Sequence, residues 1–135
     1  MAGRSLKGKV ALIGGGAKNL GGLLAHTFAA DGAKVVVHYN SDATRSAADE
    51  TVAAIAKAGG EAFAIQGDLT QAANVTRLFD EAKRRYGGID VAVNTVGKVL
   101  RKPIVETTEA EYDEMAAVNA KAAFFFIKEA GRTLN

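Results

Sequence analysis

The chain predicts an α/β fold, a parallel sheet of strand order 3-2-1-4 with helices on both faces. Three observations carry this. Short apolar runs without polar alternation recur at 10–13, 33–39, 62–65 and 89–94, the pattern of strands buried on both faces. Longer segments between them place apolar residues at helical spacing. Glycines punctuate the junctions at Asp31-Gly32, Gly59-Gly60 and Gly87-Gly88. The resulting βαβαβαβα order demands parallel pairing with right-handed crossovers. The chain changes direction across the sheet between the first and fourth strands, which opens a crevice at their carboxyl ends.

The first strand, Val10-Ala11-Leu12-Ile13, enters the turn Gly14-Gly15-Gly16-Ala17-Lys18-Asn19-Leu20-Gly21-Gly22, and Leu20, Leu23, Leu24 and Phe28 then recur at helical spacing. Strand, glycine turn and helix form the setting in which main-chain amides cradle a phosphate. Glycines let the backbone turn sharply and let a pyrophosphate come close, while the helix start supplies free N–H groups and a positive dipole. Read as G-x-x-x-G-x-G, the turn has Gly15 and Gly21 in place and Asn19 at the middle position, which asparagine can fill because it tolerates left-handed backbone. A tight turn that binds nothing is the competing reading.

The second strand, Ala33 to Tyr39, is β-branched, and Asn40-Ser41-Asp42 turns the chain into a helix with Ala48, Val52, Ile55 and Ala56 on one face. Ala62 to Ile65 is the third strand. Thr70 is placed to cap a third helix with the stripe Val75, Leu78, Phe79, Ala82 and Tyr86. Ile89 to Asn94 is the fourth strand. A basic loop with the sole proline, Pro103, leads to the capping box Thr108-x-x-Glu111 and a last helical region through Leu134.

A length of 135 residues suits one domain, 1–135, with a real core. Seventeen Lys+Arg against fifteen Asp+Glu give a formal +2, too little to call for nucleic acid or a membrane as partner. No cysteine is present, so neither a disulfide framework nor a zinc–thiolate site is available, and no metal site is expected. The longest apolar run, Ala122 to Ile127, is far too short to span a bilayer, and the N-terminus has no apolar signal region, so a cytoplasmic protein is expected. Gly3-x-x-x-x-Gly8-Lys9 imitates a phosphate-binding loop but lacks the following Ser/Thr and precedes its strand.

Four landmarks agree in order and spacing: Gly15-x-x-x-Asn19-x-Gly21, Asp68-Leu69 after the third strand, Asn94-Thr95-Val96-Gly97 at the end of the fourth, and Asn119 within Ala117-Val118-Asn119-Ala120-Lys121. With these the chain resembles the short-chain dehydrogenase/reductase family over essentially its whole length, and among its members the 3-oxoacyl-carrier-protein reductases. The resemblance implies a Rossmann-like sheet and a bound dinucleotide. It implies that Asp68 meets the adenine ring, that Asn94 to Gly97 is similar to the family's Asn-Asn-Ala-Gly segment, and that Asn119 matches the catalytic asparagine.

The implied cofactor contacts are Gly15, Ala17, Lys18, Asn19, Leu20, Gly21, Tyr39, Asn40, Ser41, Asp68, Leu69, Asn94, Thr95, Val96 and Gly97. An NAD-preferring site carries an acid at the end of the second strand. Tyr39 stands there instead, with Lys18 nearby, so NADP is expected over NAD. His38, Asn40, Ser41 and Arg45 are candidates for its 2′-phosphate.

In the family, hydride passes between nicotinamide and a small carbonyl or alcohol, with a serine and a Tyr-x-x-x-Lys pair completing the site on later elements. Here Tyr39, Tyr86 and Tyr112 are followed four positions on by Ala43, Asp90 and Ala116. A phenol with an ordinary pKa near 10 is a poor base at neutral pH. The chain by itself is therefore expected to be inactive, the family fold being truncated before its later strands. A non-catalytic NADP-binding or assembly module is the alternative, and a scaffold binding no nucleotide a third. An open edge on the fourth strand and the all-round apolar segment Ala122–Ile127 predict self-association into a homo-oligomer.

Overall fold

The computed structural model describes residues 5–135. Gly3 of the imitation phosphate loop lies outside them. The elements run β1 (Val10–Gly14), α1 (Asn19–Ala30), β2 (Lys34–Tyr39), α2 (Asp42–Lys57), β3 (Glu61–Gln66), α3 (Ala72–Tyr86), β4 (Val91–Asn94), α4 (Glu109–Ala116) and α5 (Ala122–Thr133). A short 3-10 turn, Ile104–Glu106, precedes α4, and a π-helical turn, Ala117–Lys121, joins α4 to α5. The sheet has the expected order β3-β2-β1-β4, all parallel.

Alternate residues of the central strands feed two cores. Leu12 and Val36, with Phe63 of β3, face α3 and α5 through Val75, Leu78, Phe79, Ala122 and Phe126. Ala11, Ile13, Val35 and Val37 face α1 and α2 through Ala25, Ala48 and Ile55. A strand covered on both faces gains nothing from polar alternation, which is why these runs read as continuously apolar. Phe79 and Phe126 meet edge to face at 5.0 Å between ring centroids and close the first core under β1.

Several expectations need correction. Thr70 does not cap α3; its hydroxyl donates to Asp68 Oδ1 at 2.6 Å, and Gln71 takes the cap position without a side-chain bond. The buried face of α2 is Ala48, Thr51 and Ile55, with Val52 at its margin and Ala56 exposed. On α1 the residues against the sheet are Gly21, Gly22 and Ala25, while Leu20 and Leu23 are exposed, because small residues let this helix lie close to the strands. The last helical region is interrupted by the π turn and ends at Thr133 rather than Leu134. Ile89 and Asp90 fall outside β4: Leu134 forms a parallel bridge to Ile89, and Asn135 N–H donates to the Ile89 carbonyl at 3.0 Å. The far edge of Val91–Asn94 has no partner strand among the described residues. The capping box of α4 forms as expected, with Thr108 and Glu111 bonded reciprocally.

Candidate functional site

The crevice lies where the β1–α1 turn faces the end of β4. Gly15 has φ +73°, and Asn19, at φ 54°, is a non-glycine residue in left-handed backbone, so asparagine does fill the middle glycine's place. A Cβ on Gly21 would fall 2.0 Å from the Gly15 carbonyl oxygen, and one on Gly15 would fall 2.7 Å from Thr95 Oγ1. Only glycine lets the start of α1 close over the turn at these two points. Asn19, Leu20 and Gly21 open the helix, and their N–H groups have no acceptor among the described residues.

The turn is held from three sides. Thr95 Oγ1 donates to the Gly14 carbonyl at 2.7 Å and more weakly to that of Gly15 at 3.3 Å. Thr51, buried on α2, donates to the Ala17 carbonyl at 2.7 Å. His38, on β2, accepts the Gly15 N–H on Nδ1 at 2.9 Å, and its Nε2 lies 2.7 Å from the Gly67 carbonyl. Burial, first, and the positive charge of Arg77 lower the His38 pKa, opposed by the Gly67 hydrogen bond and Asp68.

Gly15, Ala17, Lys18, Asn19, Leu20 and Gly21 line the crevice together with His38, Tyr39 and Asn40 from the end of β2 and Thr95, Val96 and Gly97 from the end of β4. An adjoining hollow, sharing His38, Asn40, Val96 and Gly97, contains Asp68 and Leu69. Thirteen of the fifteen expected cofactor contacts are thereby brought together. Ser41 and Asn94 are not on these walls. Ser41 precedes α2 and uses its carbonyl to accept from Thr44, while Asn94 Oδ1 turns back to accept the Val96 N–H at 3.0 Å.

Two of the candidates for a 2′-phosphate are otherwise engaged. His38 lines the crevice but is 1% exposed and bonded at both ring nitrogens, so it has no free donor for a ligand phosphate. Arg45 is hydrogen-bonded to Asp42 at 3.1 Å and lies 5.8 Å from the Tyr39 ring. Asp68 forms a turn, its Oδ1 accepting the Thr70 N–H at 3.0 Å.

Asn119 sits in the π turn and clasps one residue of the loop opposite. Its Oδ1 accepts the Lys98 N–H at 2.8 Å and its Nδ2 donates to the Lys98 carbonyl at 2.9 Å. In the basic loop, Lys98 pairs with Glu114 and Lys102 with Glu111, which leaves Arg101 as that cluster's charge without an ion pair among the described residues. Sequence reasoning missed Thr44, which lines the crevice, and Thr51. The signal for Thr51 was its place between Ala48 and Ile55 on one helical face.

A family model described as enoyl-(acyl carrier protein) reductase matches residues 15–135, which takes in the turn, the crevice and the Asn119 clasp. The chain belongs to the short-chain dehydrogenase/reductase family. Among curated members it is 43% identical over 127 residues to the hydroxynaphthalene reductase-like protein Arp2 of Metarhizium robertsii, covering 94% of this chain and 47% of that protein. It is 38% identical over 130 residues to elsinochrome reductase 1 of Elsinoe fawcettii, covering 96% and 48%.

Solved members agree in backbone. A Burkholderia cenocepacia protein crystallised with bound NADP superposes with a TM-score of 0.94 at 62% identity, covering 100% of this chain and 51% of that one. A short-chain dehydrogenase from Burkholderia cenocepacia J2315 in complex with NADP gives 0.91 at 32% identity, covering 96% and 52%. This short-chain dehydrogenase/reductase chain thus spans about half the length of the relatives it matches. Among the described residues, no helix is long and apolar enough to cross a membrane.

Proposed function

We propose that these 135 residues are the NADP-binding portion of an oxidoreductase that moves hydride between nicotinamide and a small carbonyl or alcohol. The observation that carries this reading is the glycine turn. Its geometry admits no Cβ at Gly21, and it leaves the Asn19, Leu20 and Gly21 amides free at a helix start on the wall of the crevice. That donor set suits a diphosphate.

Tyr39 and Asn40 at the end of β2 present no carboxylate to repel a 2′-phosphate, and Lys18 adds a positive charge to the same crevice. On this reading Asp68 and Leu69 meet the adenine end and Thr95 to Gly97 the nicotinamide end, supported by their share in the two adjoining hollows. The cofactor, when bound, supplies or accepts the hydride. The chain's own contribution is to bind and orient it, and Asn119 holds the loop after β4 in place. With no Tyr-x-x-x-Lys in these residues, no group here is suited to protonate the substrate oxygen.

Calorimetric titration with NADPH, NADH and adenosine 2′,5′-bisphosphate tests the reading. NADPH and the bisphosphate are expected to bind, NADH more weakly, and no carbonyl is expected to be reduced by this chain alone. Binding of none of the three would leave only an α/β scaffold. The reading also includes self-association, supported by the exposed Phe124 and Ile127 on α5 beside the free edge of β4. A monodisperse monomer at high concentration in sedimentation velocity would remove it.

A further inference from the structure

Of the side chains that hold the glycine turn, those of Thr51, Thr95 and His38, only His38 can change charge near neutral pH. Its two partners settle its tautomer. The Gly67 carbonyl can only accept, so Nε2 carries the proton; the Gly15 N–H can only donate, so Nδ1 is bare. The ring therefore spans from the β1–α1 turn to the end of β3, the two segments assigned above to the diphosphate and adenine ends of the cofactor. A second proton on Nδ1 would set two N–H donors against each other across 2.9 Å, on a residue that is almost wholly buried.

We propose that His38 is a positioning residue: its neutral ring, held between the Gly15 N–H and the Gly67 carbonyl, keeps the glycine turn in its binding form, and protonation releases the turn. The inference rests on the dinucleotide reading for its consequence, since a released turn no longer presents its amides together.

The charges facing His38 pull in both directions. Asp68, in the loop after β3, favours the imidazolium, and Arg77 on α3 opposes it. Strand β1 carries no ionisable side chain, and α1 carries only His26, which is exposed. On α2, Asp42 and Arg45 are paired with each other. On β3, Glu61 sits at the opposite end, against Lys34. Burial is the leading influence on the ring and keeps it neutral at physiological pH.

The experiment follows the His38 ring carbons, the Gly15 amide and dinucleotide affinity on the same protein between pH 8 and pH 5, by heteronuclear NMR and calorimetry. NADP+ and NAD+ are the probes, because NAD+ lacks the 2′-phosphate that itself titrates in this range. The expected result is one shared midpoint for the ring and the Gly15 amide. One pH unit below it about a tenth of the protein keeps the neutral ring, so the NAD+ dissociation constant rises about tenfold and that of NADP+ by at least as much.

In His38→Asn, which cannot be protonated, the pH dependence of NAD+ binding should vanish. A Gly15 amide that stays still while the ring titrates would overturn the proposal. So would an unchanged pH dependence in His38→Asn, or loss of folded dispersion before the ring titrates. Coupled titration of ring and amide with neither nucleotide bound at any pH would uphold the strut and remove the dinucleotide reading.

Discussion

Gly21 lies so close to Gly15 that a methyl group on its Cα would sit 2.0 Å from the Gly15 carbonyl oxygen. The atom in the way is backbone, at the base of the crevice, and cannot swing aside. Alanine is ordinarily favoured over glycine in a helix by about 1 kcal/mol, but an overlap of this depth outweighs that preference.

Gly21→Ala should therefore destabilise the fold by about 2–3 kcal/mol in urea denaturation. Gly21→Asp should in addition abolish dinucleotide binding in calorimetry. The same glycine-to-alanine change at Gly131, inside α5, meets nothing within 4 Å and should stabilise the protein by about 0.5–1 kcal/mol. Opposite signs for one substitution isolate packing from propensity. A stable Gly21→Ala protein that still bound NADPH normally would sink the account of the turn.

Thr51→Val keeps the shape of the side chain and removes its hydroxyl, so the Ala17 carbonyl loses its buried donor at 2.7 Å. The expected cost is about 1–3 kcal/mol, the range for an unsatisfied buried acceptor. Amide exchange should show the increase in opening centred on the β1–α1 turn rather than on α2. Uniform loss of protection across α2 would point instead to simple helix destabilisation.

Asn119→Asp retains an acceptor for the Lys98 N–H but no longer donates to the Lys98 carbonyl. Limited proteolysis should then cut the loop between β4 and α4 several times faster while the sheet stays protected. Asn119→Ala, which removes both bonds, should cut faster still. Equal rates in all three proteins would show that the clasp does not hold the loop.

Glu111 has its pKa lowered to about 2, by the Lys102 ammonium first and then by the N–H and hydroxyl of Thr108. A carboxylate lowered in the folded state contributes stability that is complete above its unfolded value of 4.5 and is lost as pH falls through about 2. An NMR titration of the Glu111 side chain should find its midpoint well below 4.5. Lys102→Ala should move that midpoint upward, since it removes the largest influence. A midpoint indifferent to Lys102 would place the shift in the capping box alone.

Much of this architecture is legible in the sequence. The runs Val10–Ile13 and Val35–Val37 name strands covered on both faces, and the order of elements leaves one sensible sheet topology. Thr108 and Glu111 announce a helix start that forms as written. Thirteen of the fifteen expected cofactor contacts line the walls, because they cluster in four short segments that the topology delivers to one end of the sheet. Ser41 and Asn94 fall off those walls for a common reason: membership of such a segment does not say which way a side chain turns, and Asn94 turns back to the Val96 N–H.

Local pattern thus decided the strands, the glycine turn, the capping box and the place of the crevice, since backbone preference and hydrophobic period act over a few neighbouring residues. Folding in three dimensions decided the rest. It buried His38 instead of offering it to a phosphate, set Thr51 beneath Ala17, and opened the π turn that lets Asn119 grip Lys98. These contacts join residues 23, 34 and 21 positions apart. Hydrogen-bond partners at such separations are chosen by how the layers pack, and no local period encodes them.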